Sequence, residues 1–451
     1  MTQPESTVPA RIDRTTATTD LQALQTILEE RFAYLHASKF GQGLPELLTQ
    51  LQANLPEQQS VTDWAATIQG LLSRSLDGHA RVREFKPISG AIPALFHVAG
   101  NDVVAVKLDR SDFLLPGCPF LKAIDGRPVS EWLPVVGSLV AGEGASWRRE
   151  RTVRGLLWLQ QWRRKLKLPE TPEATLTLQG VAGTRNLVVT LIPDKPDYGV
   201  WPAPGSRWLG QVGYLRLPAM SPRAAQEIQQ WLPEFQSAQG LIVDLRGNSG
   251  GMREAFLPLL RALQPGGAGP RVVNVACSRQ SNTESATRMA GRGLFPEGSD
   301  HWTAQEKAVI EQFKPSFKPN WTPPPGQFGD WHFMLVHPAG PAEPAATCPV
   351  VILTDGMCFS ATDIFLCGVK GLPNVTIMGE SSGGGSGSAM TYVLPSGVQF
   401  RVASMASFKP SGELLEGHGT PVDIQVVPSP ESFLRDGPDS VLQRALSLLT
   451  A

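Results

Sequence analysis

The stretch 348–387 constrains the fold more than any other part of the chain. It begins with an apolar, β-branched run at 350–353, which is typical of a strand buried on both faces. A polar turn containing glycine separates this run from a helical pattern that starts after Ser360, and a second short strand follows at 375–378. This order of strand, turn, helix and strand predicts one unit of an α/β fold, in which functional groups gather where the first strand ends and the helix begins.

Ser360 lies at that junction, next to the positive end of the helix dipole and the free N–H groups of the first helical turn. The simplest interpretation is a capping box, in which Ser360 accepts a hydrogen bond from the third helical N–H and Asp363 reaches back. A serine becomes a nucleophile only with a base within reach and N–H donors for an oxyanion. The rest of the chain must supply both.

The composition excludes several classes of function. The 451 residues are enough for two or three domains, and the net charge of -1, with no block of five like charges, argues against nucleic acid or an anionic membrane as a partner. No apolar run approaches the length of a transmembrane helix. The five cysteines are odd in number and lack CxxC spacing, so neither a disulfide framework nor a zinc site is predicted.

The N-terminal segment is polar and lacks the apolar core of a secretory signal. We therefore expect a cytoplasmic protein, or a periplasmic or secreted one if a signal has been removed. The localisation stays unknown at this point.

Three regions follow from the patterns along the chain. Region 1–81 is predicted to be a helical bundle, and region 82–198 a small β-rich module interrupted by a basic helix at about 145–166. Region 199–451 alternates strands and helices, which predicts a mixed or parallel sheet with crossover helices. Its segment 265–347 is rich in proline and glycine and is expected to be an irregular insertion with only brief structure, such as a helix near 303–313.

One histidine and a second serine are further candidates for a catalytic role. His79 is the only one of the seven histidines in a tight Asp-Gly turn at an element boundary, although a histidine there is commonly just an exposed surface residue. Segment 247–251 matches the nucleophile elbow G-x-S-x-G, which makes Ser249 a rival to Ser360. An α/β-hydrolase would combine Ser249 with Asp363 and His418. The glycine pair in this segment also suits a loop that presents N–H groups to an anion.

Five motifs follow one another along the chain: LLSRSLDGHARV at 71–82, GLIVDLRGNSGG at 240–251, TDGMCFSATDIF at 354–365, IMGESSGGGSG at 377–387 and LEGHGTPVDIQV at 415–426. Together and in this order they resemble the motifs of the tricorn-like and C-terminal-processing serine peptidases. The histidine-bearing turn is similar to that of the tricorn-like and retinoid-binding-protein-like branch, and the β-rich module, with its KAIDGRPV segment, resembles the family's PDZ or PDZ-like region. The resemblance implies an α/β fold with a mixed-sheet ClpP/crotonase-like peptidase core, an N-terminal helical bundle and a PDZ-like module.

The resemblance also implies roles for individual residues. Ser360 matches the nucleophile, His79 the general base, and Glu416 the acid that assists the histidine. The match to the family motifs implies that the oxyanion donors are the N–H groups of Gly250 or Gly251 together with that of Ala361.

One departure concerns the lysine that the processing branch uses as its base. Its position is occupied here by Gly385, and neither Lys370 nor Lys409 lies at a suitable distance along the chain. This disfavours a Ser-Lys dyad. Gly78 stands where tricorn has a second assisting serine.

The sequence thus predicts a serine endopeptidase that hydrolyses peptides or unfolded proteins by a Ser-His-Glu mechanism, without a metal or cofactor. Tricorn-like relatives make a homo-oligomer compatible with this reading. Two alternatives stay open: a non-catalytic ligand- or peptide-binding protein on the same scaffold, and an α/β-hydrolase-type esterase that uses Ser249.

Overall fold

The N-terminal part of the chain is helical, as the spacing of its apolar residues predicts. The structure is a computed structural model that describes residues 10–83, 87–280 and 282–450. Side chains of Asp13, Ser38 and Ser60 cap its first three helices. The elements of this part are β1 (Arg11–Asp13), α1 (Arg14–Arg31), α2 (Lys39–Ala53), β2 (Gln58–Ser60), α3 (Val61–Leu72) and β3 (Arg81–Val82).

The next part is an antiparallel sheet packed against three helices. Its elements are β4 (Leu95–Ala99), β5 (Asp102–Val106), β6 (Phe120–Ile124), β7 (Arg127–Pro128), α4 (Val129–Gly137), α5 (Ala145–Gly155), α6 (Leu159–Lys165), β8 (Glu173–Gly180) and β9 (Gly183–Thr190). The strand order is β4-β5-β6-β8-β9, and β7 pairs with β6. A PDZ-like character of this module stays a prediction.

The prediction of one helix at about 145–166 is wrong, because two helices occupy this segment. Trp158 has φ −78° and ψ 57° and interrupts the helical backbone between them. This turn allows Leu156, Leu157 and Trp162 to enter the apolar core of the module together. Burial of three large side chains outweighs the local helical preference of the segment.

The remaining elements alternate strands and helices, as expected for an α/β core. They are β10 (Arg207–Leu209), β11 (Val212–Arg216), α7 (Pro222–Glu234), β12 (Gly240–Asp244), α8 (Leu257–Ala262), β13 (Arg271–Ser278), α9 (Thr283–Ala290), β14 (Phe295–Pro296), α10 (Ala304–Phe313), β15 (His332–Val336), β16 (Val350–Thr354), α11 (Ala361–Val369), β17 (Val375–Gly379), β18 (Ala389–Val393), β19 (Gln399–Ala403), β20 (Met405–Phe408), β21 (Ile424–Gln425) and α12 (Ser440–Leu449).

A six-stranded sheet in the order β10-β11-β12-β16-β17-β21 forms the centre of this part. All its neighbouring pairs are parallel except β10 and β11. Helices α7, α8 and α11 cover one face and α12 covers the other, so the strands are buried on both sides. The fold is therefore a mixed α/β structure with several sheets, as predicted.

The register of β12 and β16 determines where the candidate site forms. These strands are parallel neighbours, with Asp244 opposite Leu353. Their carboxyl ends consequently lie side by side, and the loops that follow them, 245–251 and 355–360, leave the sheet at the same edge.

The segment 265–347 is more regular than its composition predicts. Strands β13, β14 and β15 lie within it and form an antiparallel sheet with β20, in the order β14-β15-β13-β20. The expectation of a mainly irregular insertion is wrong, whereas the helix expected near 303–313 is confirmed as α10. The strand pattern was obscured because the proline- and glycine-rich stretches flank these strands.

The N-terminal helices and the core share one apolar cluster. It joins Leu28 and Trp64 of the helices to Val275, Phe400 and Phe408 of the core strands. Strand β3 also pairs with β19. The turn at 76–79, just before β3, is thereby fixed against the core. None of the helices in the described ranges is both long and apolar enough to cross a membrane.

Candidate active site

Ser360 has a strained backbone at the start of α11. Its φ of 62° and ψ of −117° lie outside the regions that L-residues favour, at a typical cost of about 1–3 kcal/mol. The Ser360 side chain caps no helical N–H, so the capping box is not formed. Asp363 instead accepts hydrogen bonds from Ser382 Oγ and from the N–H groups of Gly384 and Gly385. The Ser360 hydroxyl is thus left for another partner.

That partner is His79. Its Nε2 lies 3.3 Å from Ser360 Oγ, and its Nδ1 lies 3.4 Å from Glu416 Oε1. Glu416 is buried, and its second oxygen accepts the N–H of Ser386 at 2.8 Å. The structure therefore brings the three predicted side chains together, at distances typical of a free enzyme before substrate tightens the contacts.

Asp77 is a fourth member of this cluster that the sequence analysis missed. Its Oδ1 accepts the N–H of His79 at 2.8 Å and lies 3.4 Å from His79 Nδ1. Its Oδ2 accepts the N–H of Ala403 at 2.8 Å, and the side chain is fully buried. The available signal was the aspartate two residues before the histidine, since such a side chain commonly bonds the N–H two positions on.

Mutual hydrogen bonds and burial shift the ionisation of all three groups. Burial favours neutral Asp77, but hydrogen bonds, chiefly with His79, outweigh it and lower the pKa of Asp77. Burial, with the charge of Asp77, raises the pKa of Glu416 to about 7. Burial opposes a charged His79, yet its hydrogen bonds to both carboxylates raise the pKa of His79 to about 9. The imidazolium form is therefore favoured in the resting cluster.

The same three residues are also the described residues that could hold a metal ion. Donor atoms of Asp77, His79 and Glu416 all lie within 4.8 Å of one another. Both carboxylates lie 3.4 Å from His79 Nδ1, so the imidazole itself is a partner for the two acids.

Aromatic rings form the wall behind His79. Phe359 lies 4.6 Å from the imidazole centroid and stacks on Trp147 at 4.3 Å. A Cβ added at Gly78 would lie 2.6 Å from the Phe359 ring, and one added at Gly385 would lie 2.3 Å from it. Neither position has room for a side chain unless the Phe359 ring moves.

The same crowding bears on the Ser-Lys alternative. At Gly385, where the resemblance implies the lysine of that alternative, a side chain would displace Phe359. Lys370 pairs with Asp423, and Lys409 pairs with Glu413. Within the described ranges, no lysine forms a hydrogen bond with the candidate nucleophile.

Two backbone N–H groups beside Ser360 are free to bind an anion. In the part of the chain that the structure describes, the N–H groups of Gly251 and Ala361 have no hydrogen-bond partner. The N–H of Gly250, by contrast, donates to Asn248 Oδ1 at 3.0 Å. Gly250 still requires glycine, because its φ is 99° and a Cβ would lie 2.7 Å from the Ser360 Cβ. Of the three predicted donors, two are therefore available.

Asn248 links the two loops and was also missed by the sequence analysis. Besides the Gly250 N–H, its Oδ1 accepts the Thr362 hydroxyl at 2.8 Å, and its Nδ2 donates to the Leu217 carbonyl at 2.8 Å. Its own carbonyl accepts the N–H of Phe359 at 3.1 Å. A buried side chain with these contacts holds the glycine loop against the start of α11.

The α/β-hydrolase alternative does not assemble. Ser249 is exposed and lacks the positive φ of a nucleophile elbow, which Ser360 has instead. His418 Nδ1 contacts the Glu416 carbonyl at 3.0 Å, and Asp363 is bound to the loop that contains Gly384. No hydrogen bond joins Ser249, Asp363 and His418 among the described residues, so the structure does not support the alternative of a Ser249-based triad.

A cleft of roughly 710 Å³ opens onto the site. Its lining includes Ser360, His79, Gly251 and Ala361. The candidate nucleophile, base and free N–H groups are thus reachable from one cavity of a size suited to a peptide segment.

Comparisons with known proteins agree with this architecture. Residues 211–426 match the sequence profile described as Peptidase family S41. The structure of mature CPAF is similar over 97% of this chain and 96% of its own, with a TM-score of 0.68 and 17% identity. Mature CPAF complexed with lactacystin covers 97% of both chains, with a TM-score of 0.67 and 16% identity.

A further similar structure is a putative peptidase from Parabacteroides merdae. It covers 97% of both chains, with a TM-score of 0.52 and 14% identity. Identities this low show a shared fold and nothing finer. No sequence in a search of curated proteins matches the chain.

Proposed function

We propose that this chain is a serine-type peptidase of family S41, whose profile its residues 211–426 match, and that Ser360, His79 and Glu416 form its catalytic triad. The observation that carries the proposal is the pair of contacts at the His79 ring, 3.3 Å to Ser360 Oγ and 3.4 Å to Glu416 Oε1. Ser360 lies 281 positions and Glu416 337 positions after His79 in the chain, so only the complete fold brings the three residues together.

The proposed reaction is hydrolysis of an internal peptide bond. Ser360 Oγ attacks the carbonyl carbon while His79 Nε2 takes the hydroxyl proton. The free N–H groups of Gly251 and Ala361 stabilise the negative charge that develops on the carbonyl oxygen. The amine leaves with the proton from His79, and an acyl-enzyme remains on Ser360. Water, activated by the same imidazole, then releases the acid.

Glu416 and Asp77 act on the far side of the ring. Both lie 3.4 Å from His79 Nδ1, so they orient the imidazole and stabilise the imidazolium that forms in the reaction. The role of Asp77 is proposed from its contacts alone.

The strain at Ser360 supports an enzyme over a non-catalytic binding protein. A φ of 62° at a serine is costly, and here it does not bring a compensating helix cap. It does bring the hydroxyl to an imidazole and two free N–H groups, which a site that only binds a ligand would not require. The substrates we propose are peptides or unfolded protein segments that can extend through the open cleft.

A fluorophosphonate probe tests this proposal. We expect one adduct, mapped to Ser360, and we expect Ser360→Ala to abolish labelling and lower peptide hydrolysis by roughly 10⁴-fold or more. Ser249→Ala is the matched control, because Ser249 lines the same cleft and should be dispensable. An adduct on Ser249 would favour the esterase alternative, and a folded protein that forms no adduct would favour the non-catalytic binding protein.

A further inference from the structure

Five arginines line the cleft that holds Ser360 and His79. They are Arg81, Arg151, Arg253, Arg292 and Arg401. Among the described residues, none of the five has a carboxylate within 4 Å. The whole chain has a net charge of -1, so this is a local concentration of positive charge and not a property of the surface in general.

Two of these arginines face each other across a strand pair. Arg81 of β3 lies directly opposite Arg401 of β19 in the antiparallel register. Like charges in this position destabilise a sheet. Arg401 Nε is also buried without a hydrogen-bond partner in the described part of the chain. Burial, followed by repulsion from Arg81, lowers the pKa of neighbouring Arg151 to about 10. An anion bound between these side chains would reduce the repulsion between Arg81 and Arg401 and would give Arg401 Nε a hydrogen-bond acceptor.

A second group lies around Arg253, whose side chain is only 5% exposed. Its guanidinium contacts Asn274 Oδ1 at 3.1 Å, Ser386 Oγ at 3.0 Å and the Arg292 carbonyl at 3.2 Å, all of them neutral. A buried cation whose acceptors are all neutral is poorly compensated. Burial, followed by the charge of Arg292, lowers the pKa of Arg253 to about 9.

We propose that the cleft binds carboxylates of the substrate, so that the peptidase prefers segments with acidic side chains near the scissile bond. Among the described residues, the exposed Glu254 is the one carboxylate that lines the cleft outside the catalytic cluster, so arginine dominates the charge of the cleft. Guanidinium groups bind carboxylates with charge-assisted and often bidentate hydrogen bonds. This inference rests on the proposed function for its meaning, but the binding itself does not require catalysis.

The test therefore uses binding to the Ser360→Ala variant. Fluorescein-labelled peptides of one sequence are compared in two forms, with Asp and Glu or with Asn and Gln, and each form has a free or an amidated C-terminus. By fluorescence polarisation, we expect the acidic peptides to bind at least about tenfold more tightly, with an advantage that falls as salt rises. Arg401→Gln and Arg81→Gln in the same background should remove most of this advantage, whereas the exposed Arg223→Gln on α7 should not.

Equal binding of the acidic and amide peptides would overturn the proposal, and so would an advantage that survives both cleft substitutions. Loss of binding on amidation alone would also overturn it, because recognition would then belong to the C-terminal carboxylate of the peptide and not to acidic side chains. If the variant binds acidic peptides but the unaltered protein cleaves none of them, carboxylate recognition stands and the proposed peptidase mechanism fails.

Discussion

At the scale of single residues, two carboxylates face one imidazole, and this arrangement controls when His79 can act as a base. Burial alone would lower the pKa of His79, but hydrogen bonds to Asp77 and Glu416 raise it to about 9. A general base must be unprotonated, so the competent fraction of the free enzyme increases with pH up to that value. At neutral pH, protonation of His79 should therefore limit the rate.

The pH profile of kcat/KM should therefore rise from neutral pH towards about pH 9. Glu416→Gln removes one of the two groups that stabilise the imidazolium, so the pKa of His79 should fall and the rising limb should move to lower pH. Its plateau should also fall, by roughly 10-fold or more, because the ring loses orientation. Asp77→Asn should move the limb in the same direction. Initial rates on an uncharged fluorogenic peptide between pH 6 and about pH 10 provide the measurement.

Glu254→Gln is the control for this experiment. Glu254 lines the same cleft and is not among the groups that shift His79, so its removal should leave the limb in place. If the rising part of the pH profile of kcat/KM does not move in Glu416→Gln or in Asp77→Asn, the two carboxylates do not set the pKa of His79, even if both variants are slow.

At the scale of elements, the site is a contact between the loops that follow β12 and β16. Asn248 joins them through its bonds to the Gly250 N–H and the Thr362 hydroxyl. Asp355 adds a second tie, because its Oδ2 accepts the N–H of Gly247 at 2.9 Å. The distance between Ser360 and the free N–H of the glycine loop thus depends on side chains that do not touch substrate.

Asn248→Ala should lower kcat by roughly 10- to 100-fold with little change in KM, since displaced donors stabilise the transition state less than they did. It should also lower the free energy of unfolding by about 1–3 kcal/mol, because buried polar groups lose their partner. Thr362→Val removes one of the hydrogen bonds and should have a smaller effect on kcat. Steady-state kinetics and chemical denaturation give the two quantities.

Asn320→Ala is a suitable comparison, because Asn320 also accepts a backbone N–H, from Leu414, but does not line the cleft. An increase in KM alone in Asn248→Ala would mean that Asn248 supports binding and not the position of the oxyanion donors.

Local patterns in the sequence predict much of the core and less of the site. The strand, turn and helix around Ser360 were identified because buried strands and helix starts have short-range signals. The sheet of β13, β15 and β20 was not, because its strands pair across long stretches of proline-rich chain. Asp77 was taken for a turn residue, since only the folded chain shows that a second carboxylate meets His79 there. The backbone strain at Ser360 could not be predicted either, because the sequence Ser-x-x-Asp is the same whether or not a capping box forms.

At the scale of the whole molecule, His79 reaches Ser360 only while the N-terminal helices are docked on the core. Asp20 is fully buried in this contact and accepts hydrogen bonds from Trp64 Nε1 at 2.7 Å and from the Ser396 N–H at 2.9 Å. Tyr34 adds another link, because its hydroxyl accepts the N–H of Ser407 at 3.1 Å. With one apolar cluster shared across this contact, the helices and the core should unfold together.

Asp20→Ala should therefore lower the free energy of unfolding by about 2–4 kcal/mol, since it leaves the donors of Trp64 and Ser396 unpaired in the interior. Peptidase activity, tryptophan fluorescence and far-UV circular dichroism should all be lost at the same, lower denaturant concentration. Glu30→Ala on the same helix, where an exposed ion pair to Arg31 spans 3.6 Å, should change stability by less than about 0.5 kcal/mol. Activity that persists after the tryptophan signal of the helices is lost would mean that His79 is held by the core alone, and the triad would then not depend on the docking of the N-terminal helices.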